Sequence, residues 1–266
     1  MANKVRSSDR RTIAQAITLI ESTRPDHRAL AEQLLSDLLG GTGRTIRLGI
    51  SGPPGVGKST FIETFGLYVI EKRHKLAVLT VDPSSTLSGG SVLGDKTRME
   101  RLARESDVFI RPSPSGNTLG GVARRTREAM LVCEAAGHDI VIVETVGVGQ
   151  SETAVRDMVD MFILLTQPAG GDELQGIKRG VVELADLLLV NKADGELLTA
   201  AQRTQTEYSN ALQLLRPASP DWTTPVLTCS ALYEIGMDAI WDTINDYRMM
   251  MSKNGALQER RREQAI

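Results

Sequence analysis

Residues 46–59 read IRLGISGPPGVGKS, and this stretch decides the fold. Its last eight residues, Gly52 to Ser59, fit the pattern G-x-x-x-x-G-K-[ST] without a gap. An apolar segment precedes the pattern, and apolar residues follow it at helical spacing: Phe61, Ile62, Phe65 and Val69. A strand, a glycine-rich loop and a helix in this order are the setting in which such a loop holds a phosphate chain.

The composition sets the outer limits on function. The chain has 266 residues, of which 41% are hydrophobic and 24% charged, as in an ordinary globular protein. A net charge of -2 gives no electrostatic case for a nucleic acid or an anionic membrane as partner. No apolar run approaches the roughly 18 residues of a membrane span. The two cysteines, Cys133 and Cys229, lack pairing or metal spacing, so we expect buried thiols in a reducing compartment, the cytoplasm.

Strand and helix patterns alternate along the chain after a helical start. Two apolar helical faces, Ile13-Ile17-Ile20 and Leu30-Leu34-Leu38, predict a helical hairpin over about 9–39. Seven strands are predicted at about 45–50, 76–82, 107–111, 139–144, 161–166, 186–191 and 225–229. Helices are predicted near 58–73, 95–105, 118–136, 173–184, 196–215 and 235–250.

Most of the predicted strands are continuous apolar runs, which are typical of strands covered on both faces. We therefore expect an α/β protein with a mainly parallel, roughly seven-stranded sheet flanked by helices, and a short N-terminal helical hairpin. The predicted divisions are a hairpin over 1–43, a nucleotide-binding domain over 44–252 and a C-terminal segment over 253–266. The last of these carries the charged run QERRREQ and is either a solvated helix end or the start of a truncated helical extension.

The phosphate-binding loop predicts specific contacts to a nucleotide. Its glycines let successive backbone N–H groups turn toward the β-phosphate, and the positive end of the following helix adds to the attraction. Lys58 would reach the β- and γ-phosphates, and the Ser59 hydroxyl would bind Mg²⁺ directly. A plain tight turn is the alternative explanation. The residues predicted to contact the nucleotide here are Gly52, Pro53, Pro54, Gly55, Val56, Gly57, Lys58, Ser59 and Thr60.

The sequence Asn191-Lys192-Ala193-Asp194, after the apolar run LLLV, predicts guanine as the base. The Asp194 carboxylate can accept from both the ring N1–H and the exocyclic amine of guanine, whereas adenine would leave it unpaired. Lys192 can lay its stem over the base. Ser230, Ala231 and Leu232, after the strand VLTC, suit a backbone contact to the guanine oxygen. A polar strand end is the alternative reading of the NKAD sequence.

Acidic residues at predicted strand ends are candidates for the magnesium site. Glu144 ends the run IVIVE, and Gly147 after it can present its N–H to the γ-phosphate. Asp82 ends the run LAVLTV, although an Asp before proline is often a turn or cap residue. Asp95 lies at the end of a loop rich in Ser and Gly, where a helix N-cap is an equally good interpretation.

These segments together resemble the ArgK/MeaB-type GTPases, which accompany adenosylcobalamin-dependent acyl-CoA mutases such as methylmalonyl-CoA mutase. The resemblance covers about residues 10–260 and rests on GPPGVGKST, VDPSST, GGSVLGDKTRM, RPSPSGNTLGG, VETVGVGQSE, GGDELQGIKRG and NKADG. It implies that the protein hydrolyses GTP to GDP as a chaperone of such a mutase. Glu144 opens the motif Glu144-Thr145-Val146-Gly147, at the position where Ras-type GTPases carry an aspartate. The resemblance therefore implies that the protein is one of the dimerising P-loop GTPases.

The resemblance also implies roles for residues that the sequence alone leaves open. Asp82, Asp95 and Glu144 would belong to the magnesium and switch machinery. Asp172 and Lys178, within 170–180, would form a further switch that couples the nucleotide state to the mutase; otherwise Lys178 is a solvated lysine. Members of this family usually continue past residue 266 into a helical dimerisation arm, so a homodimer is expected of the full-length form.

Two other functions remain open at this point. A nickel-delivery GTPase shares the same loop, but the sequence has no His-rich run or Cys-His pair to carry nickel. A small-molecule kinase or a transport-associated ATPase would use the loop for phosphoryl transfer. The NKAD sequence argues against the kinase and the ATPase, because it selects guanine. A kinase is also disfavoured because the sequence shows no obvious acceptor-binding lid.

Overall fold

The computed structural model describes residues 1–41, 43–81, 98–113, 119–145, 151–168, 179–214 and 221–264. The chain forms two compact units. The first unit consists of residues 1–47 and 69–146, and the second consists of residues 48–68 and 147–266.

The first unit contains three parallel strands: β2 (Leu76–Val81), β3 (Val108–Ser113) and β4 (Ile140–Thr145). The strand β2 lies between β3 and β4. Every residue of β2 and β4 is buried, which explains why both read as continuous apolar runs.

The N-terminal helices also belong to the first unit. The helix α1 (Ala2–Arg6) precedes the hairpin of α2 (Arg10–Glu21) and α3 (Pro25–Leu38). The Asp9 carboxylate caps α2 by accepting from the Thr12 N–H at 2.7 Å, and Pro25 opens α3 at a position that suits proline. Both hairpin helices pack against α6 (Leu119–Ala135), and α5 (Glu100–Ala103) precedes β3.

The predicted apolar faces of the hairpin are confirmed except at one residue. Ile13, Ile17 and Ile20 are buried, as are Leu34 and Leu38. Leu30 is 59% exposed, because the buried face of α3 consists instead of the adjacent Ala31 together with Leu34 and Leu38.

Arg111, in β3, joins this strand to α2. Its guanidinium donates to the Glu21 carboxylate at 2.6 Å, to the Ala14 carbonyl at 3.1 Å and to the Thr18 hydroxyl at 3.1 Å. Burial raises the pKa of Glu21, and Arg111 opposes this rise. The hairpin is therefore attached to the strand by a largely buried ion pair as well as by apolar contact.

The second unit contains the other four strands: β1 (Ile46–Ser51), paired from Leu48 onward, β5 (Met161–Thr166), β6 (Leu187–Val190) and β7 (Val226–Thr228). They are parallel and lie in the order β1-β5-β6-β7. Because the carboxyl ends of parallel strands meet at one edge, the loops that begin at Gly52, Gln167, Asn191 and Cys229 share that edge.

The remaining helices complete the second unit. They are α4 (Lys58–Glu71), which ends in the first unit, α7 (Ser151–Arg156), α8 (Arg179–Val182), α9 (Leu198–Gln213), α10 (Met237–Lys253) and α11 (Ala256–Glu263). No described helix is both long and apolar enough to cross a membrane. The predicted fold class is confirmed, since all seven strands are parallel and flanked by helices; the division into domains at 43/44 and 252/253 stays a prediction.

Two arginines attach the polar helix α11 to buried carboxylates. Arg261 forms a bidentate pair with Asp160, with contacts of 2.7 and 2.5 Å. Arg260 donates to the Tyr247 hydroxyl at 2.6 Å and lies 3.6 Å from Asp186. Their side chains are only 14% and 15% exposed, so these two arginines are not solvated, whereas Gln258, Glu259, Arg262 and Glu263 are exposed.

Candidate nucleotide-binding site

The loop between β1 and α4 is shaped by glycines that no other residue could replace. A Cβ atom on Gly52 would lie 2.5 Å from the carbonyl oxygen of Leu165 in β5. Gly57 has a φ of +91°, and its Cβ would lie 2.8 Å from the Asn191 side-chain nitrogen. The loop can therefore lie against β5 and against Asn191 only because these side chains are absent.

Lys58 is the first residue of α4 and lies over the loop. Its ammonium donates to the carbonyl oxygens of Gly52 at 2.7 Å and Pro53 at 3.2 Å. The Phe61 N–H donates to the Gly57 carbonyl at 2.9 Å, so the helix begins directly at the loop. A cation and the positive end of a helix dipole at one place suit a phosphate group.

Asn191 joins the phosphate loop to the loop after β7. Its amide nitrogen donates to the Val56 carbonyl at 2.9 Å, and its amide oxygen accepts from the Ala231 N–H at 3.0 Å. The side chain is buried, and the backbone N–H of Asn191 bonds to the Thr166 carbonyl at 2.8 Å. One amide thus fixes the relative position of two loops that the sequence separates by more than a hundred residues.

Asp194 is held by the loop after β7. The Ser230 hydroxyl donates to Asp194 Oδ2 at 2.5 Å, and Ser230 is fully buried. The Ala193 N–H bonds to the Cys229 carbonyl at 2.9 Å, which brings the NKAD sequence against β7. Leu232, predicted in the same loop, is 70% exposed. The structure therefore brings together Asn191, Asp194, Ser230 and Ala231.

Three supporting residues were not found from the sequence. The Thr64 hydroxyl donates to the Ala231 carbonyl at 2.8 Å. The Cys229 thiol donates to Asn191 Oδ1 at 3.7 Å, and burial raises the pKa of this thiol to about 12, so it stays protonated. Gln167 accepts from the Lys192 ammonium at 3.0 Å. Its position directly after β5 was the only available signal, and many residue types occur at such a position.

The predicted magnesium and switch residues are described only in part. Asp82, Asp95, Gly147, Asp172 and Lys178 lie outside the described residues. Glu144 lies one residue before the end of β4 and is buried, and the half-buried Ser59 lies in the first turn of α4. Both offer oxygen atoms, the donor type that Mg²⁺ prefers, so their chemistry fits this ion.

Comparison with known proteins gives a consistent result across the chain. The family model for the methylmalonyl Co-A mutase-associated GTPase MeaB matches residues 13–266. A Caulobacter vibrioides protein named as a GTPase is 58% identical over 264 residues, covering 99% of this chain and 81% of that protein. The Escherichia coli GTPase ArgK is 52% identical over 263 residues, covering 99% and 80%.

A mitochondrial mouse protein and two solved structures extend the comparison. The mouse methylmalonic aciduria type A homolog is 52% identical over 265 residues, covering 96% of this chain and 64% of that protein. A crystal structure described as a LAO/AO transport system kinase matches with a TM-score of 0.85 and 45% identity, covering 99% and 79%. HypB of Helicobacter pylori, solved with nickel, matches with a TM-score of 0.57 and 17% identity, covering 82% and 93%, and this shows the fold alone.

Proposed function

This chain belongs to the family of methylmalonyl-CoA mutase-associated GTPases and is itself a GTPase, and on this premise we propose a more specific role. The protein is a Mg²⁺-dependent chaperone whose GTP- and GDP-bound forms gate the loading or protection of the cofactor of an adenosylcobalamin-dependent acyl-CoA mutase. Methylmalonyl-CoA mutase is the expected partner.

The observation that carries the proposal is the arrangement of the NKAD residues in the second unit. Ser230 holds the Asp194 carboxylate, and Asn191 ties the same region to the phosphate loop. Such a carboxylate pairs with the two donors of guanine and would lose both partners with adenine. The nucleotide is therefore GTP, with its triphosphate on the Lys58 loop.

Hydrolysis in this proposal is in-line attack of water on the γ-phosphate. Lys58 and the backbone N–H groups of the loop stabilise the charge that spreads over the phosphate oxygens. Mg²⁺, when bound, neutralises charge on the β- and γ-phosphates. The residues proposed to hold the ion are Ser59, Asp82, Asp95 and Glu144. Gly147 would donate its N–H to the γ-phosphate.

The partner is proposed from the names of the family and its members. The matching model is named for an association with methylmalonyl-CoA mutase, and the mouse relative for methylmalonic aciduria. Asp172 and Lys178 are proposed to transmit the nucleotide state, because a Lys–Asp contact with two arrangements can be biased by a partner. We further propose that the protein acts in the cytoplasm as a homodimer.

The alternatives fit less well. The likeness to the nickel-bound HypB extends to the fold only, and no group of three or more metal-binding side chains occurs among the described residues. A transport kinase, the name of one similar structure, would need no guanine-selective carboxylate. The Asp194–Ser230 contact therefore favours the GTPase role over a kinase role.

The test is GTP turnover measured alone and at saturating methylmalonyl-CoA mutase from the same organism, with cofactor transfer followed in parallel. We expect slow intrinsic turnover that the mutase accelerates, and no comparable turnover of ATP. Lys178→Ala should keep intrinsic turnover within a few-fold while stimulation largely disappears and the complex still forms. The exposed Lys253→Ala serves as the matched control and should retain stimulation. Absence of any effect of the mutase on turnover would contradict the proposal.

A further inference from the structure

We infer that Gln167 is a positioning residue for base binding: its side-chain oxygen holds the Lys192 ammonium so that the lysine stem forms one wall of the guanine site. This rests on the proposed guanine specificity but adds a residue outside the phosphate loop and the NKAD sequence. Gln167 acts through Lys192 rather than on the nucleotide itself.

The strand register brings the two residues together. In the parallel pair of β5 and β6, Thr166 lies opposite Val190, so the chains leave the sheet side by side at Gln167 and Asn191. The Asn191 N–H bonds to the Thr166 carbonyl at 2.8 Å, which extends this pairing past the last residue of each strand. The Lys192 ammonium then reaches Gln167 Oε1 at 3.0 Å.

The backbone conformation of Lys192 indicates that the surrounding structure fixes the position of this residue. Its φ is +60°, a left-handed conformation that residues other than glycine seldom adopt and that clusters at functional sites. A lysine side chain is long and loses much rotamer freedom when it is fixed. The ammonium has only donors, and the Gln167 amide oxygen supplies an acceptor that defines where the end of the side chain lies.

The chemistry of the pair suits a stacking role. With its ammonium attached to Gln167, the lysine presents its methylene groups as an apolar surface rather than extending into water. A face of this kind contacts any purine equally, whereas Asp194 distinguishes guanine. Loss of Gln167 should therefore weaken binding of guanine and hypoxanthine nucleotides by the same factor.

The test is a double-mutant cycle read by calorimetric titration of the intact chain with GDP and with IDP. Gln167→Ala should weaken binding of both nucleotides by about fivefold to tenfold, less than the full value of a hydrogen bond to a charged group, because Lys192 itself is retained. In a Lys192→Ala background the same change should have no further effect, because the residue that it positions is gone. Gln167→Glu keeps an acceptor oxygen and should retain wild-type affinity to within a few-fold.

A control variant and a second nucleotide distinguish a loss of base positioning from other causes of weaker binding. Gln202→Ala, on an exposed position of α9, should bind like the wild type, and thermal unfolding of each ligand-free variant checks the fold. Equal losses in the wild-type and Lys192→Ala backgrounds would overturn the inference, as would unchanged affinity in Gln167→Ala. If the wild-type protein bound ADP as tightly as GDP, the proposed guanine specificity would fail, whatever Gln167 does.

Discussion

The Ser230 hydroxyl donates to an Asp194 carboxylate oxygen at 2.5 Å, and this contact joins the residues that follow β6 to those that follow β7. Ser230 is fully buried, so its hydroxyl cannot turn to water and the carboxylate keeps one orientation. The orientation matters because a base edge with two donors needs both carboxylate lone-pair directions aimed at it.

Nucleotide preference should follow Asp194. Asp194→Asn replaces one acceptor by an amide donor, so both guanine donors can no longer be paired. We expect GTP affinity to fall by on the order of 10²-fold or more, with a gain for xanthosine triphosphate, whose extra carbonyl suits the amide. Competition titrations with GTP, xanthosine triphosphate and ATP measure this. Asp238→Asn, at an exposed position of α10, is the control, and tight binding of ATP by the wild type would contradict the guanine assignment.

Lys58→Ala should remove tight nucleotide binding while leaving the fold intact. The ammonium contacts the Gly52 and Pro53 carbonyls in the structure, and we propose that it serves the phosphates when the nucleotide binds. Loss of a charge-assisted contact to two phosphate groups predicts roughly 10²-fold weaker binding of a GTP analogue. Calorimetry alongside circular dichroism tests this, and wild-type affinity in the variant would remove the phosphate-loop assignment.

Substitutions of Glu144 and Asp82 should impair the use of magnesium in hydrolysis more than they weaken nucleotide binding. Replacing either by Ala is expected to lower hydrolysis by roughly 10²-fold or more while binding of metal-free GDP changes little. Because Glu144 is buried, Glu144→Gln is the better first variant, since it keeps the volume and removes the charge. Turnover across a magnesium titration gives the readout. Weaker GDP binding without metal would instead indicate a structural role.

Stability should depend on the arginine pairs of α11. Arg261→Ala leaves the Asp160 carboxylate, 2% exposed, without its bidentate partner. Removing one side of a buried pair predicts a loss of about 3 kcal/mol in the free energy of unfolding. Arg262→Ala, next in the chain but exposed, should change it by less than about 0.5 kcal/mol. Urea unfolding of both variants measures the difference, and equal effects would show that the Arg261–Asp160 pair contributes no more than an exposed arginine does.

His138 should make stability sensitive to mild acid. Its ring Nδ1 bonds to the Cys133 carbonyl at 2.8 Å, and burial lowers the pKa of the ring below its usual range. The unfolded chain takes up a proton near pH 6.5, whereas the folded protein resists it, so stability falls as the pH drops from about 6.5 toward the lower folded value.

The variant His138→Gln should flatten this dependence. Denaturant unfolding at about pH 7.5 and pH 5.5 compares the two proteins across the window in which an unperturbed histidine titrates. The wild type should lose more stability than the variant over that interval. Parallel pH profiles would show that His138 does not set the acid response.

The fold was predictable because its signals are local. A strand that ends in GPPGVGKS and continues into an apolar helix face specifies strand, loop and helix within one short stretch, and the apolar runs specify buried strands. The pairing of Asn191 with Val56 could not be found in this way, because it joins residues 135 positions apart and depends on a glycine whose only visible signal is the phosphate motif.

The partners of the α11 arginines could not be predicted, for a different reason. A run such as QERRREQ is usually solvated, and nothing in its own sequence indicates partners. Asp160 and Asp186, the partners of Arg261 and Arg260, each stand before an apolar strand, where a buried carboxylate would require a cation. That requirement is visible in the sequence, but which of the 31 basic residues meets it is set by the tertiary structure.

The attachment of Arg111 to α2 bears on how small a working version of this protein can be made. Cutting the chain at residue 43 would remove the Ala14 carbonyl, the Thr18 hydroxyl and the Glu21 carboxylate together. Arg111 would lose these three acceptors, and the face of α6 that both hairpin helices cover would be exposed to water. The minimal unit for expression, crystallisation or design therefore includes the hairpin.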